Sequence, residues 1–455
     1  NDARGAALAE LAVLLHQTIT APALAEALVA ARDVADPIER ASVREMERQW
    51  RAANLLPPAL VERKSLAGSR CEHAWRTQRK ANDWAGFLEN WRPMVDCVRQ
   101  EARLLADATG LSPYDALVDR FEPGMTSAQI DVLFGDLRRW LPPLIREVVA
   151  KQAREEVIAP VGPFPIDAQR ALGHELMKLL GFDFDGGRLD VSTHPFCGGV
   201  PEDVRITTRY RDDDFVAAMM GIVHETGHAR YEQRLPRAAV HLPVGQPRSM
   251  GVHESQSLSF EMQLGRGHAF QSLIAPLVRE HLGDQPAFDA ANLARIYTRV
   301  RPGLIRVDAD ELTYPLHIVL RYELERALVE GSLEPADVPT AWAEKMQQYF
   351  GLDTRGDYTN GCLQDIHWTD GAFGYFPSYT LGAMYAAQYF AAIRAAHPDL
   401  DARIAAGDLA PIFAWLDAHI WSQASRWETP ELLTRATGHP LSAAHFEQHL
   451  RARYL

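Results

Sequence analysis

The chain is poor in cysteine, in clustered positive charge and in long apolar runs. Four of its 455 residues are cysteine (Cys71, Cys97, Cys197 and Cys362), far apart and never in a Cys-x-x-Cys spacing. This excludes a disulfide-stapled scaffold and a thiolate metal knuckle, and it favours a reducing cytoplasm. No apolar run is read as approaching the length of a membrane span. The amino end, Ala6-Ala7-Leu8-Ala9-Glu10-Leu11-Ala12-Val13, has no basic start and is flanked by Asp2, which speaks against a secretory signal. The sequence starts at Asn1 rather than Met, so a further segment upstream is expected. No basic patch or stripe offsets the net charge of −13, which argues against a nucleic-acid partner. The acids are spread along the chain and serve solubility. Repeats, low-complexity tracts and long flexible linkers are also missing.

What is present is ordinary soluble-protein composition, 47% hydrophobic and 24% charged, in a length that would allow about three domains. With no linker to separate them, one helical body with a small sheet is expected. The first third carries helix punctuation. Thr126-Ser127-Ala128-Gln129 is a capping box followed by Ile130, Leu133, Phe134, Leu137 and Leu141 on one face. Pro142-Pro143 is expected to interrupt that helix. Thr429-Pro430-Glu431 starts another, which Gly438 closes. Between about 156 and 210 the character changes. Pro160, Pro163 and Pro165 mark a loop, and two strand-like pieces, 188–191 and 203–207, flank a Gly/Pro loop.

His224-Glu225-Thr226-Gly227-His228 carries the chemistry. Residues four apart on a helix share one face, so two imidazoles there reach one metal ion while Glu225 lies close to a water on it. The flanks support a helix: Asp212, Asp213 and Asp214 supply cap and first-turn acids, an apolar run follows, and Pro236 stops it. A third protein ligand is required. Tyr231 and Arg234 occupy the positions that a three-His extension would need, so that subclass is excluded. Glu232 lies about 12 Å from His224 along the axis, too far for both to bind at roughly 2 Å with His228. The ligand therefore comes from another element. Glu254 and Glu261, seven residues apart, both qualify, and periodicity does not choose between them.

Six motifs in order then resemble the carboxypeptidase Taq family of metallocarboxypeptidases. They are His194-Pro195-Phe196, Asp203-x-Arg205-x-Thr207, His224-Glu225-x-x-His228, His253-Glu254-Ser255-Gln256, Ile305-Arg306-x-x-Ala309-Asp310 and Gly361-x-x-Gln364-Asp365-x-His367-Trp368. The resemblance spans about residues 194 to 368 closely and the helical remainder more weakly. It implies a mainly α, large helical peptidase fold with a deep active-site cleft and a small β-sheet beside the metal helix. It further implies a single domain over 1–455, with an N-terminal helical part (1–155) and a catalytic part (156–455). Chains of the family carry additional N-terminal helices, which this sequence is expected to lack.

By the same resemblance, His224, His228 and Glu254 hold one divalent ion, zinc first, with cobalt or manganese also accepted by two His and one Glu. Glu225 is the general base. The implied activity is hydrolysis of single residues from the C-terminus of peptides. His367 and Tyr379, with Tyr375 after them, are the candidate donors to the developing oxyanion, because helical zinc oligopeptidases similarly place a His before tyrosines. Arg306 is the implied holder of the substrate carboxylate, since a guanidinium binds it bidentately. Arg321 is the fallback, and a bridge from Arg306 to Asp308, Asp310 or Glu311 is the structural alternative. Arg205 lies on a strand that either pairs with an extended peptide or braces the metal helix. His194 and His253 are expected to orient ligands, and Asp365 to be structural. A homodimer is implied by the resemblance. The rival readings are a zinc oligopeptidase or dipeptidyl carboxypeptidase and a noncatalytic helical scaffold with a metal site.

Overall fold

A computed structural model of the chain describes residues 2–192 and 195–455. It is mainly α, with three short strands forming one sheet among the described residues. The expected capping box forms. Thr126 and Gln129 satisfy one another reciprocally, the Gln129 side chain accepting from the Thr126 N–H at 2.9 Å. The helix that follows, Ser127–Gln152, runs unbroken through Pro142-Pro143, against the expected interruption. Each proline removes one backbone bond, but Ile130, Phe134, Leu137, Leu141, Leu144 and Val148 are all buried along one stripe. That burial, about 1.5–3 kcal/mol per side chain, outweighs the lost bonds. A second correction concerns the amino end. By length and composition alone, Asp2–Ala30 is apolar enough to cross a membrane. The stretch is interrupted at Thr20-Ala21, and its first helix, Asp2–Ile19, packs on Pro58–Gln78.

The backbone resolves into two compact units that do not follow chain order. One comprises Asn1–Pro142, Arg301–Ala309 and Thr313–Pro377; the other comprises Pro143–Val300, Asp310–Leu312 and Ser378–Leu455. The core of the first unit is aromatic. Trp91 stacks on Trp368 at 5.6 Å and donates its Nε1–H to the Trp368 carbonyl, while Trp75 donates to the Leu363 carbonyl. Its helix Tyr314–Glu330 is buried on nearly every side.

The second unit holds the sheet, with β1 (Gly187–Val191), β2 (Phe196–Val200) and β3 (Asp203–Thr208) in the order β1-β3-β2. β1 pairs parallel and β2 antiparallel with the central β3. β2 occupies the expected Gly/Pro loop. Gly198 and Gly199 erase its side-chain alternation, so the backbone pairs where the sequence shows no strand period. On β3, Val204 and Ile206 are buried against Ala218, Ile222 and Ala229 of the helix Val216–Arg234 and against Met177 and Phe182. The sheet is therefore a brace for the metal helix. In the same unit, the fully buried Glu311 fixes the last helix, Ala443–Tyr454, by accepting from His449, Arg453 and Tyr454. Burial pushes the Glu311 carboxyl up, but Arg453 and His449 outweigh it and hold the acid far below the usual range.

Candidate active site

The metal helix begins where Asp214 accepts the Val216 N–H at 2.9 Å and ends at Arg234, before Pro236. Its apolar first half is buried against the sheet and neighbouring helices, which fixes the direction in which the third and fourth turns point. His224 and His228 lie there one turn apart. Glu254 arrives on a separate helix, Met250–Leu258, capped by Ser249 accepting from the Val252 N–H. One donor atom from each of His224, His228 and Glu254 lies within 4.8 Å of the others, and His228 Nε2 is 3.3 Å from Glu254 Oε2.

Two glycines make this convergence possible. A Cβ on Gly227 would sit 2.4 Å from the Gln256 carbonyl oxygen and 2.6 Å from Ser257 Cα. A Cβ on Gly382, in the helix Pro377–Ala396, would sit 2.8 Å from the Glu254 Cβ. The helix carrying Glu254 thus lies against bare backbone on two sides. Sequence reasoning passed over both glycines. The signal was the occupancy of a free position inside the motif by the smallest residue, in a helix where glycine costs about 1 kcal/mol.

The outer faces of the imidazoles are tied down. His224 Nδ1 bonds Glu261 Oε2 at 2.8 Å, and Arg266 donates to the other oxygen of that carboxylate at 2.6 Å. His228 Nδ1 is 2.7 Å from His253 Nδ1, and His253 Nε2 is 2.8 Å from Glu232 Oε1. With both Nδ1 atoms engaged, the Nε2 atoms are left for an ion, the arrangement that orients histidine ligands in metal sites. Glu261, an open alternative for third ligand, and Glu232, excluded by distance, are both partners of imidazoles here. His253 takes the orienting place expected of it.

The electrostatics fit a cation. Burial alone would lower His224, but the Glu261 hydrogen bond and the charges of Glu254, Glu261 and Glu225 hold it up at about 10. Burial, reinforced by the charge of His253, lowers His228 to about 4. A field of three carboxylates that retains a proton on a buried imidazole equally favours a divalent ion, and two nitrogens with one carboxylate oxygen suit zinc with a coordination position left open. Glu225, next to His224 and 7% exposed, is pushed up to about 7 by burial and by the negative charges of Glu254 and Glu261, against the pull of His224. That is where a general base at neutral pH needs to be. Cys197 on β2 lies in the same field: burial first, then the charges of Glu225 and Glu232, raise its thiol.

Arg205 sits on β3 facing away from the buried Val204 and Ile206, exposed and chelated to Asp203 at 2.7 Å. Because β3 is hydrogen-bonded on both edges, no extended peptide can add to it, and the bracing alternative describes the strand. Tyr379 is half-buried on Pro377–Ala396, three residues before Gly382 and so on the face that abuts the Glu254 stem. His194 lies outside the described residues.

The remaining candidates belong to the first unit. Arg306, 6% exposed, donates from Nε to Asp365 Oδ1 at 2.9 Å and from Nη1 to the Tyr314 hydroxyl at 2.8 Å. Arg321, with no exposed surface, donates to the other oxygen of Asp365 at 2.6 Å, so the fallback is fully committed to structure. The acid that pairs Arg306 lies 59 residues on, outside the local window of Asp308, Asp310 and Glu311, and Glu311 is engaged by the C-terminal helix. Two guanidinium groups share the Asp365 carboxylate. Burial and then the charge of Arg306 lower the His367 imidazole to about 3, so it is neutral. Its ring lies 4.6 Å from Phe376 and 5.4 Å from Tyr375, which in turn meets Phe121 edge-on at 5.1 Å.

Known proteins resemble this chain in sequence and fold. The carboxypeptidase Taq (M32) metallopeptidase family profile matches residues 1–454. Thermostable carboxypeptidase 1 of Thermus thermophilus is 39% identical, covering 100% of this chain and 91% of its own length. Carboxypeptidase 1 of Bacillus subtilis is 35% identical, covering 90% and 81%. The solved structure of Trypanosoma cruzi metallocarboxypeptidase 1 superposes with a TM-score of 0.95 at 49% identity, over 100% of this chain and 92% of that one. Matched over essentially its whole length, the chain belongs to the carboxypeptidase Taq (M32) family: it is a metal-dependent carboxypeptidase.

Proposed function

We propose that the chain releases single C-terminal residues from peptides with one zinc ion held by His224, His228 and Glu254. The observation that carries this reading is the convergence of those three donors with both Nδ1 atoms already tied. A divalent ion there supplies Lewis acidity. Glu225 takes a proton from the attacking water as oxygen bonds to the scissile carbonyl carbon. It then passes that proton to the nitrogen as the C–N bond breaks, leaving a free amino acid and a shortened peptide. His367, neutral and therefore a donor from one ring nitrogen, stabilises the charge developing on the carbonyl oxygen, with Tyr379 and then Tyr375 as further donors. Arg306 receives the terminal carboxylate. The orientation of its guanidinium by Asp365 and Tyr314 supports that role, since a fixed fork binds a carboxylate bidentately. Bracing of the metal helix falls to Val204 and Ile206, and Arg205, exposed on the other face of β3, is engaged by Asp203 rather than by substrate.

The partners we propose are peptides with a free C-terminus, a second copy of the chain as a homodimer, and neither nucleic acid nor membrane. The location we propose is cytoplasmic, which the four free thiols support. Zinc is preferred to cobalt or manganese on the nitrogen content of the donor set.

The test is to remove the metal with a chelator, restore zinc, cobalt or manganese in turn, and compare matched peptides with free and amidated C-termini. Release of single residues from the free form alone is expected, and zinc should restore it. Equal cleavage of both forms would refute the exopeptidase reading and favour an oligopeptidase.

A further inference from the structure

His367 sits in a stretch with little regular structure of its own. A single turn, Ile366–Trp368, leads into the loop that reaches Pro377. A side chain on such a segment is placed only as well as the segment is gripped. The helix Tyr314–Glu330 grips it at three points from two residues one turn apart. Arg321 donates to Asp365, just before the turn, and to the His317 carbonyl within its own helix at 2.9 Å. Glu325, four residues on and so on the same helix face, accepts from the Trp368 indole N–H at 2.8 Å and from the Gly374 backbone N–H at 3.0 Å. Its third donor is the Tyr114 hydroxyl, also at 3.0 Å. The bonds fall at 365, 368 and 374, on both sides of His367 and immediately before Tyr375.

We infer that Arg321 and Glu325 are positioning residues for His367, holding its loop in the conformation that presents the imidazole to the reaction. The inference rests on the reading of His367 as a donor to the reacting carbonyl oxygen. The chemistry of the acid supports it. Glu325 has no exposed surface, and its three hydrogen-bond donors are all neutral. Burial pushes its carboxyl up to about 7. An acid so placed is costly, and the donor set explains why no amide would serve. Trp368 occupies one oxygen while Gly374 and Tyr114 share the other. A glutamine would turn its NH2 toward one of those N–H or O–H groups, donor against donor. Gly374 adds precision: its φ is +87°, and a Cβ there would meet the Val118 nitrogen at 2.8 Å. Trp368 is held further by stacking on Trp91 and Phe373.

The test compares Glu325→Gln, Trp368→Phe, His367→Ala and the double variant Glu325→Gln/His367→Ala in the zinc-loaded protein. Circular dichroism would confirm the fold, and chelator competition would report zinc affinity. Glu325→Gln and Trp368→Phe are expected to lower kcat by about ten- to a hundredfold. KM and zinc affinity should stay within about twofold, since the imidazole bonds the carbonyl oxygen chiefly in the transition state. The double variant is expected to be no slower than His367→Ala alone, because the clasp has then nothing left to position. If Glu325→Gln does not fold, Trp368→Phe, which keeps an aromatic ring in the stack while removing the N–H bond and part of the indole volume, decides the matter once its fold is confirmed. Wild-type kcat in Glu325→Gln and Trp368→Phe beside an impaired His367→Ala would overturn the clasp, as would losses that multiply in the double variant. Wild-type kcat in His367→Ala would refute the role of His367 itself.

Discussion

Glu311 and Glu325 are both glutamates taken wholly out of water, one in each compact unit, and each fixes a segment distant in sequence. Glu311 faces an arginine and a histidine and is held far below the usual carboxylate range despite its burial. Glu325 faces an indole, a phenol and a backbone amide, and its burial prevails, raising it to about 7. Similar burial therefore gives opposite outcomes according to whether the donors carry charge. A cation-paired acid acts as a permanent anion that staples structure, as Glu311 does for the last helix and Glu261 does behind His224. An acid held by dipoles lends geometry, and no cation opposes its protonation near pH 7. Glu225 shares the upward shift of Glu325, but it lies beside the proposed metal ligands, where a proton that comes and goes is useful.

The comparison is most severely tested at Glu225. Glu225→Gln preserves shape and removes the proton acceptor, so kcat should fall by roughly 10²- to 10⁴-fold with zinc content unchanged by metal analysis. An active Glu225→Gln enzyme would show that the raised acid is merely structural. At Glu311, substitution by Gln strands Arg453 without a counter-charge and should destabilise the fold by about 3–5 kcal/mol. Glu325→Gln replaces only neutral bonds and should cost about 1–3 kcal/mol. Denaturant titration of the two variants would erase the distinction if the costs came out equal.

The pH dependence carries the same contrast with opposite signs. The Glu325 carboxyl is raised in the fold, so its contribution is fully present below the unfolded value of about 4.5 and is lost as pH rises toward 7. The Glu311 carboxyl is depressed, so its contribution is present above about 4.5 and is lost as pH falls below the usual carboxylate range. Melting temperature against pH should flatten between about 4.5 and 7 in Glu325→Gln and on the acid side in Glu311→Gln. A wild-type slope in both would refute the assignments. Behind the proposed ligands, Glu261→Gln should weaken metal binding about 10- to 100-fold in chelator competition. The smallest effect belongs to Arg205→Gln, which breaks an exposed ion pair and should change stability by less than about 1 kcal/mol and KM hardly at all. A large rise in KM there would return Arg205 to the substrate site.

The parts legible in sequence were those written within one helix turn or one motif. His224, Glu225 and His228 follow from a four-residue spacing, and the capping box at Thr126 from a three-residue one. Glu254 and Glu261 are separated by nearly two whole turns, so they share a face and periodicity was blind between them. Only packing shows that one turns toward His228 and the other to the back of His224. β2 was hidden because two glycines carry no side chains to alternate, and the helix through Pro142-Pro143 because propensity does not report burial. The partners of Arg306 and of the His367 loop were out of reach for another reason. Asp365, Glu325 and Tyr114 are brought together by tertiary contacts that no local window contains.

The two glycines flanking the Glu254 helix bear on how such a centre could be transplanted. Copying His224, Glu225, His228 and Glu254 onto another helical scaffold would copy every side chain proposed for the centre and still fail. The distance between their parent helices is set by the hydrogen atoms of Gly227 and Gly382, where any side chain would wedge the backbones apart. A graft must therefore carry over two absences along with four side chains.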